Sequence, residues 1–233
     1  SVKHYLDVGN ILLKRPKIFT RGFLIIGSPG ETIGQMNETV KLAGEMALDW
    51  YTVSLLTPLP STELYEKILV DQKLSVGPAQ SGGKEVTRFI GYGYNVRHGE
   101  DRRVIEKKGV VSSRHFVFDD NPALVPSREE LNDLWLIIDY KVNYQKILGL
   151  SDELKLEKMR CFLRDVSDRM TIANPLSNLF LGIVEGKLGD QPKKRRRLSL
   201  SREYLNASDY WKVFFDTMGI MPLYEDVSPD NPR

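Results

Sequence analysis

Ser28 stands in Gly27-Ser28-Pro29-Gly30-Glu31-Thr32, a turn that follows the apolar run Phe23-Leu24-Ile25-Ile26. A serine on a strand-to-helix turn is the place of a hydrolase nucleophile, where the pattern is G-x-S-x-G. Ile26 occupies the first glycine position here. Pro29 follows the serine, although that residue must donate its N–H to an oxyanion and proline has none. The turn also lacks the Lys-Ser/Thr that ends a phosphate loop, and it sets Glu31 where phosphate would lie. Gly91-x-Gly93 has neither the third glycine nor the following helix of a dinucleotide fingerprint. His4, His98 and His115 are scattered, and the pairs Glu100-Asp101 and Asp119-Asp120 read as solvated turn residues rather than metal ligands. The single cysteine, Cys161, excludes an internal disulfide or a multi-cysteine metal site within the chain. Beside an apolar helical stripe, it reads as a small packing residue.

The elements that must position these residues run strand, turn, helix, strand, turn, helix over residues 19–67. Four large apolar residues bounded by glycines predict a strand buried on both faces. Thr32-x-x-Gln35 has the form of a capping box for a helix. Ile33, Met36, Val40, Ala43 and Ala47 then form one stripe. A second strand is expected over 50–57, which completes a βαβ unit with parallel, adjacent strands. Ahead of it, residues 1–14 read as a helix with Val2, Tyr5, Leu6, Leu12 and Leu13 on one side, weakened by Gly9.

Pro58 and Pro60 stiffen the next turn, and Ser61 or Thr62 can cap a short helix. Residues 71–126 read as a loop-rich connection with short strands. From Ser127 the pattern is helical. Ser127-x-x-Glu130 is a second capping box, and Leu131, Leu134, Trp135, Ile138 and Val142 form its stripe. Leu156, Met159, Leu163, Val166 and Met170 mark another helix. Asn174-Pro175 opens a third, with Leu176, Leu179, Phe180, Ile183 and Val184 inward. A last helix runs from about 208 to 218, stopped by Gly219. These helical stripes are expected to face one another in a separate core. Residues 190–200 and 226–233 read as disordered. The basic run from Lys193 to Arg197 then reads as a solvated loop, although RNA, DNA or anionic lipid could meet it and Arg196-Arg197-Leu198-Ser199 has the look of a basophilic kinase site.

Over 233 residues the hydrophobic share is 41%, the charged share 27% and the net charge +2, ordinary for a soluble protein. No apolar run approaches the roughly 20 residues of a membrane helix. A cytoplasmic compartment without membrane association is the expectation, and the charge singles out no nucleic acid.

Gly22-Phe-Leu-Ile-Ile-Gly-Ser-Pro-Gly-Glu-Thr32, then a helix, Asp49, a strand and Thr57-Pro-Leu-Pro-Ser-Thr-Glu-Leu-Tyr65 resemble the second half of a radical S-adenosylmethionine (radical SAM) domain. The likeness is to the group that carries a cobalamin-binding domain ahead of the radical domain. Asp139-Tyr-Lys-Val-Asn-Tyr144 resembles, less distinctively, the C-terminal region of such proteins. The resemblance implies an α/β fold followed by mostly α structure: the last two βα units of a partial (βα)6 barrel over 1–70, the connection 71–126, a helical domain over 127–220 and a tail over 221–233. Ile25 and Gly27 would let the adenine of the cofactor lie against the fifth strand, with Ser28 in the same turn. Leu56-Thr57-Pro58 would contact the adenine after the sixth strand, where barrel chemistry sits. Glu31 matches a recurrent acid of the motif, or complements the positive end of a helix.

The family holds a 4Fe-4S cluster on three cysteines spaced CxxxCxxC, and this chain has one cysteine, elsewhere. The resemblance therefore implies the C-terminal portion of a longer enzyme, or a gene fragment, inert alone, whose first partner is its missing N-terminal half. The parent would cleave S-adenosylmethionine reductively to a 5′-deoxyadenosyl radical, with cobalamin-dependent methyl transfer or rearrangement open to it. Its substrate, a small molecule or a protein, is not legible. The rival from another class is a non-catalytic helical interaction module.

Overall fold

A computed structural model of the chain describes residues 2–56, 61–66, 121–169 and 174–224. In order these form helix α1 (Val2–Leu13), strand β1 (Arg21–Ile26), helix α2 (Ile33–Met46) and strand β2 (Trp50–Leu55). Helices α3 (Arg128–Asp139), α4 (Glu153–Arg169), α5 (Pro175–Lys187), α6 (Gln191–Asn206) and α7 (Asp209–Thr217) follow. A π turn, Tyr140–Tyr144, and a 3-10 turn, Gln145–Gly149, prolong α3. Nearly all of the expected connection, with both acidic pairs, His98 and His115, lies outside the described residues, as do Met170 and the tail beyond Tyr224.

The architecture is thus a small parallel α/β unit followed by helices. β1 and β2 pair in parallel, from Arg21 opposite Trp50 to Ile26 opposite Leu55. Both capping boxes form. Thr32 accepts from the Gln35 N–H and Gln35 accepts from the Thr32 N–H, and Ser127 and Glu130 do the same for α3. Each satisfies donors that a helix start otherwise leaves open. Thr62 caps the helical turn at 63–66 by accepting from the Tyr65 N–H.

Four apolar residues in a row predict burial on both faces of β1, and the structure covers one. Side chains alternate along a strand. Leu24 and Ile26 join Tyr51, Val53 and, from α2, Met36 and Ala43 in one core. Phe23 and Ile25 fall on the other face, 73% and 58% exposed. At the N-terminal end of that face an aromatic plug sits instead. Phe162 of α4 lies 4.6 Å from Trp50 and 5.3 Å from Phe19, with the Arg21 guanidinium 5.7 Å from its ring. The face is closed at the bottom and open at the top.

The separate helical core is also corrected. Leu131, Leu134, Ile138 and Val142 do share one face of α3 and the π turn, but that face packs on the sheet unit. The opposite side, Leu136, Ile137, Tyr140 and Tyr144, meets the later helices around Leu163, Phe180 and Phe214. With apolar residues on two sides, α3 must be covered on two sides. It becomes the shared wall of both cores, and Trp135 packs against each.

Two further expectations change. Val2 and Tyr5 of α1 face outward, with Val8, Ile11 and Leu13. The contact to α2 runs through Gly9, where a Cβ would stand 2.9 Å from the Met46 carbonyl oxygen. Residues 190–200, read as disordered, are helical in α6. Gly189, at φ 83°, ends α5. The Asp190 N–H closes back on the Glu185 carbonyl while its carboxylate caps the Lys193 N–H, and Pro192 sits in the first turn. The helix then buries Leu198, Ser201 and Leu205 at steps of three and four. Gly182 and Gly186 of α5 admit Leu198 and the Lys194 stem, since a Cβ on either glycine would come within 3.1 Å or less of them.

Candidate functional site

The residues expected to touch a cofactor gather at the C-terminal ends of the two strands. Ile25 projects bare on the open face. Gly27 turns the chain at φ 83°, a region costly for any residue with a Cβ. A Cβ there would meet Leu131 of α3 at 3.2 Å. Its glycine is thus demanded by the turn and by packing, on the side away from the open face. Ser28 is exposed. Leu56 is half-buried and extends the pairing by donating its N–H to the Ile26 carbonyl. Thr57 and Pro58 lie outside the described residues.

Glu31 closes the turn. Its carboxylate folds back into the turn, and Oε2 accepts from the N–H groups of Gly27 at 2.7 Å and Ser28 at 2.9 Å. Charge-assisted bonds of this kind fix the loop and occupy the donors that an incoming anion would need. The start of α2 is covered as well. The Ile33 N–H donates to the Leu124 carbonyl and the Gly34 N–H to the Pro122 carbonyl, both at 2.9 Å. A phosphate has no donors left there, in agreement with the missing loop signature.

Asp49, part of the same sequence signature, sits at the opposite end. It accepts from the N–H and hydroxyl of Thr20 at 2.7 and 2.8 Å, and the Asp49 N–H returns a bond to that hydroxyl. This clamp ties the starts of β1 and β2 and makes no part of the open end.

The two outer edges of the sheet differ. The Trp50 N–H donates to Thr20 and the Leu56 N–H to Ile26. In a regular parallel ladder this turns the N–H and C=O groups of Tyr51, Val53, Phe23 and Ile25 outward. On the β2 side three of the four groups are met. The Asn143 amide accepts from the Tyr51 N–H and donates to the Tyr51 carbonyl, both at 2.7 Å, and Trp135 Nε1 donates to the Val53 carbonyl at 2.8 Å. Asn143, fully buried in the π turn, stands in for one residue of a further strand. On the β1 side, no strand among the described residues pairs.

The remaining candidates separate from this end. Cys161 is exposed on α4 rather than packed. Of the basic run, Arg197 pairs with Asp168 at 2.9 Å, and Lys193 with Asp190 at 2.6 Å. Ser199 lies within α6, where a helix withholds the extended backbone a kinase would read. No group of three or more metal-ligating side chains occurs among the described residues. None of their helices is long and apolar enough to cross a membrane. Sequence reasoning missed Asn143 as an edge cap. The available signal was a polar residue four positions after Asp139 in an otherwise apolar helix face.

The chain matches no protein-family model, no curated protein and no solved structure.

Proposed function

We propose that this chain is the C-terminal part of a radical SAM enzyme, supplying the last two βα units of its partial barrel and a helical domain that closes the barrel's final edge. One observation carries the reading: among the described residues the sheet is capped on the β2 side and has no partner on the β1 side. Asn143 and Trp135 take three of the outer groups of β2, which disfavours a further strand there and leaves the β1 side as the edge to extend. There Phe23 and Ile25 stand bare, and α1, packed on α2, leaves Val2, Tyr5, Val8 and Ile11 bare too. Preceding βα units would cover all of them, and unpaired edges with apolar faces are otherwise a liability.

The chain fits the two cofactors unequally. A 4Fe-4S cluster does not fit, because one exposed cysteine cannot supply three thiolates, so its seat would lie in the preceding half. For S-adenosylmethionine, Ile25 offers an open apolar wall and Leu56 a second, half-buried one. Gly27 and Glu31 act behind that wall, holding the turn in shape. The part of this chain is then to bind and orient the adenine, and the radical chemistry belongs to the assembled protein.

Anaerobic reconstitution with iron and sulfide tests the proposal. This chain should stay colourless, and the protein extended upstream should turn brown and bind S-adenosylmethionine. Stoichiometric iron and acid-labile sulfide on this chain alone would refute it. An upstream sequence without CxxxCxxC would leave the helical interaction module as the better account.

A further inference from the structure

On the α2 side of the sheet, away from Ile25, a half-open cleft of about 420 Å³ lies between α2 and the turns that follow α3. That volume is in the range of small-molecule sites. Val40 and Ala47 line one wall, Leu150 and Met159 the other. Three lysines and one carboxylate also border it: Lys141, Lys146, Lys155 and Asp49. This composition is no part of the cofactor end of the strands.

The charges do not cancel. Asp49 is already engaged by both donors of Thr20 and lies 3.6 Å from the Lys155 ammonium. Lys146 donates to the Leu48 carbonyl at 2.7 Å and sits 5.3 Å from the Tyr51 ring centroid. Asp139, the other acid that Lys146 feels, holds the Asn143 amide at 2.7 Å. Burial drags the Lys146 ammonium from its usual pKa of 10.5 down to about 8. Asp49 and Asp139 oppose the shift, and Lys155 adds to it. An ammonium has three donors, and one of them is spent on Leu48.

We infer that this cleft binds a small organic anion with an apolar body, its head between Lys146 and Lys155 and its body along Val40, Ala47, Leu150 and Met159. Each half of the site selects against a simpler ligand. An inorganic anion would leave the apolar walls wet. A neutral hydrocarbon would bury the walls but leave the excess of three lysines over one aspartate uncompensated, and an amine would add a further charge of the same sign. A carboxylate on an alkyl chain satisfies both.

The test is calorimetric titration of this chain with octanoate, 1-octanol, octylamine and inorganic phosphate. Octanoate should bind one to one at pH 7, at least about tenfold tighter than the other three. Its affinity should fall about tenfold by pH 10, as Lys146 loses its proton. Lys146→Met should weaken octanoate by about tenfold and Lys155→Gln, at the partly exposed rim, by several fold, while Lys212→Gln on α7 changes nothing. Equal binding of octanol and octanoate would overturn the inference, as would phosphate matching octanoate. So would undetectable octanoate binding, or octanoate affinity unchanged in Lys155→Gln. The Lys155 variant keeps the test decisive if Lys146→Met fails to fold.

Discussion

The two edges of the sheet are built from similar apolar strands six residues long, yet one is closed and the other is not. Along β2 a buried asparagine and a tryptophan take up both outward groups of Tyr51 and the Val53 carbonyl, and α3 covers the flank. Along β1 the described residues offer no such partner, and two large apolar side chains lie bare. The difference is a matter of side-chain chemistry rather than strand propensity. A side-chain amide sets an N–H donor beside a carbonyl acceptor, as a peptide group does, so a helix can end a sheet without becoming part of it. A sheet ended in this way has a direction of growth, which here runs outward from β1.

The largest expected effect marks the closed side. Phe180 is fully buried among Tyr140, Tyr144 and Leu179, and Phe180→Ala should cost about 4 kcal/mol in urea denaturation. Asn143→Leu comes next. It strips a buried N–H and a buried C=O of Tyr51 of their partner and should cost about 3 kcal/mol. A loss under about 1 kcal/mol would mean that water can replace the amide and that the edge is not truly capped. Gly27→Ala should cost about 1–2 kcal/mol, because the turn needs positive φ and the methyl would press on Leu131.

A further effect appears with pH. The folded pKa of Lys146 is depressed to about 8. Between that value and 10.5 the unfolded chain therefore holds the extra proton, and stability should rise with pH. The rise should end near pH 10. Above it, the raised folded values of Tyr51, Tyr140 and Tyr224 favour unfolding as the unfolded tyrosines ionise first. Lys146→Met should flatten the rise, and a wild-type stability that falls between pH 8 and 10 would contradict the burial of Lys146. The smallest effect belongs to the open side: Phe23→Ala should change stability by less than about 0.5 kcal/mol. Hydrogen exchange sharpens the contrast, since the Phe23 and Ile25 amides should exchange quickly and the Tyr51 amide should be protected. Equal protection of Phe23 and Tyr51 would show that something already covers β1.

The parallel pair and both capping boxes were legible because local pattern and local chemistry agree there. Thr32 with Gln35 and Ser127 with Glu130 announce helix starts whatever surrounds them. The partner of α3 was not legible, since a stripe states that a face is buried and never against what. The basic run misled for a different reason. Five cations hide a stripe that begins with the stem of Lys194, while the Gly189-Asp190-Gln191-Pro192 sequence beside it was a sufficient helix signal. At the strand ends, residue types located the turn correctly, but Gly27 and Glu31 proved to serve its backbone. Among the described candidates, the exposed Ile25 and Ser28 and the half-buried Leu56 offer surfaces a ligand could touch.

The plugged edge of β2 also sets a limit on self-association. Strand addition propagates into fibres only when every copy offers two free edges, one to receive and one to template. With Asn143 filling one of them, two copies joined β1 to β1 would leave no edge for a third. Misassembly through this sheet stops at a pair, and the residue that ends the fold also terminates the polymer.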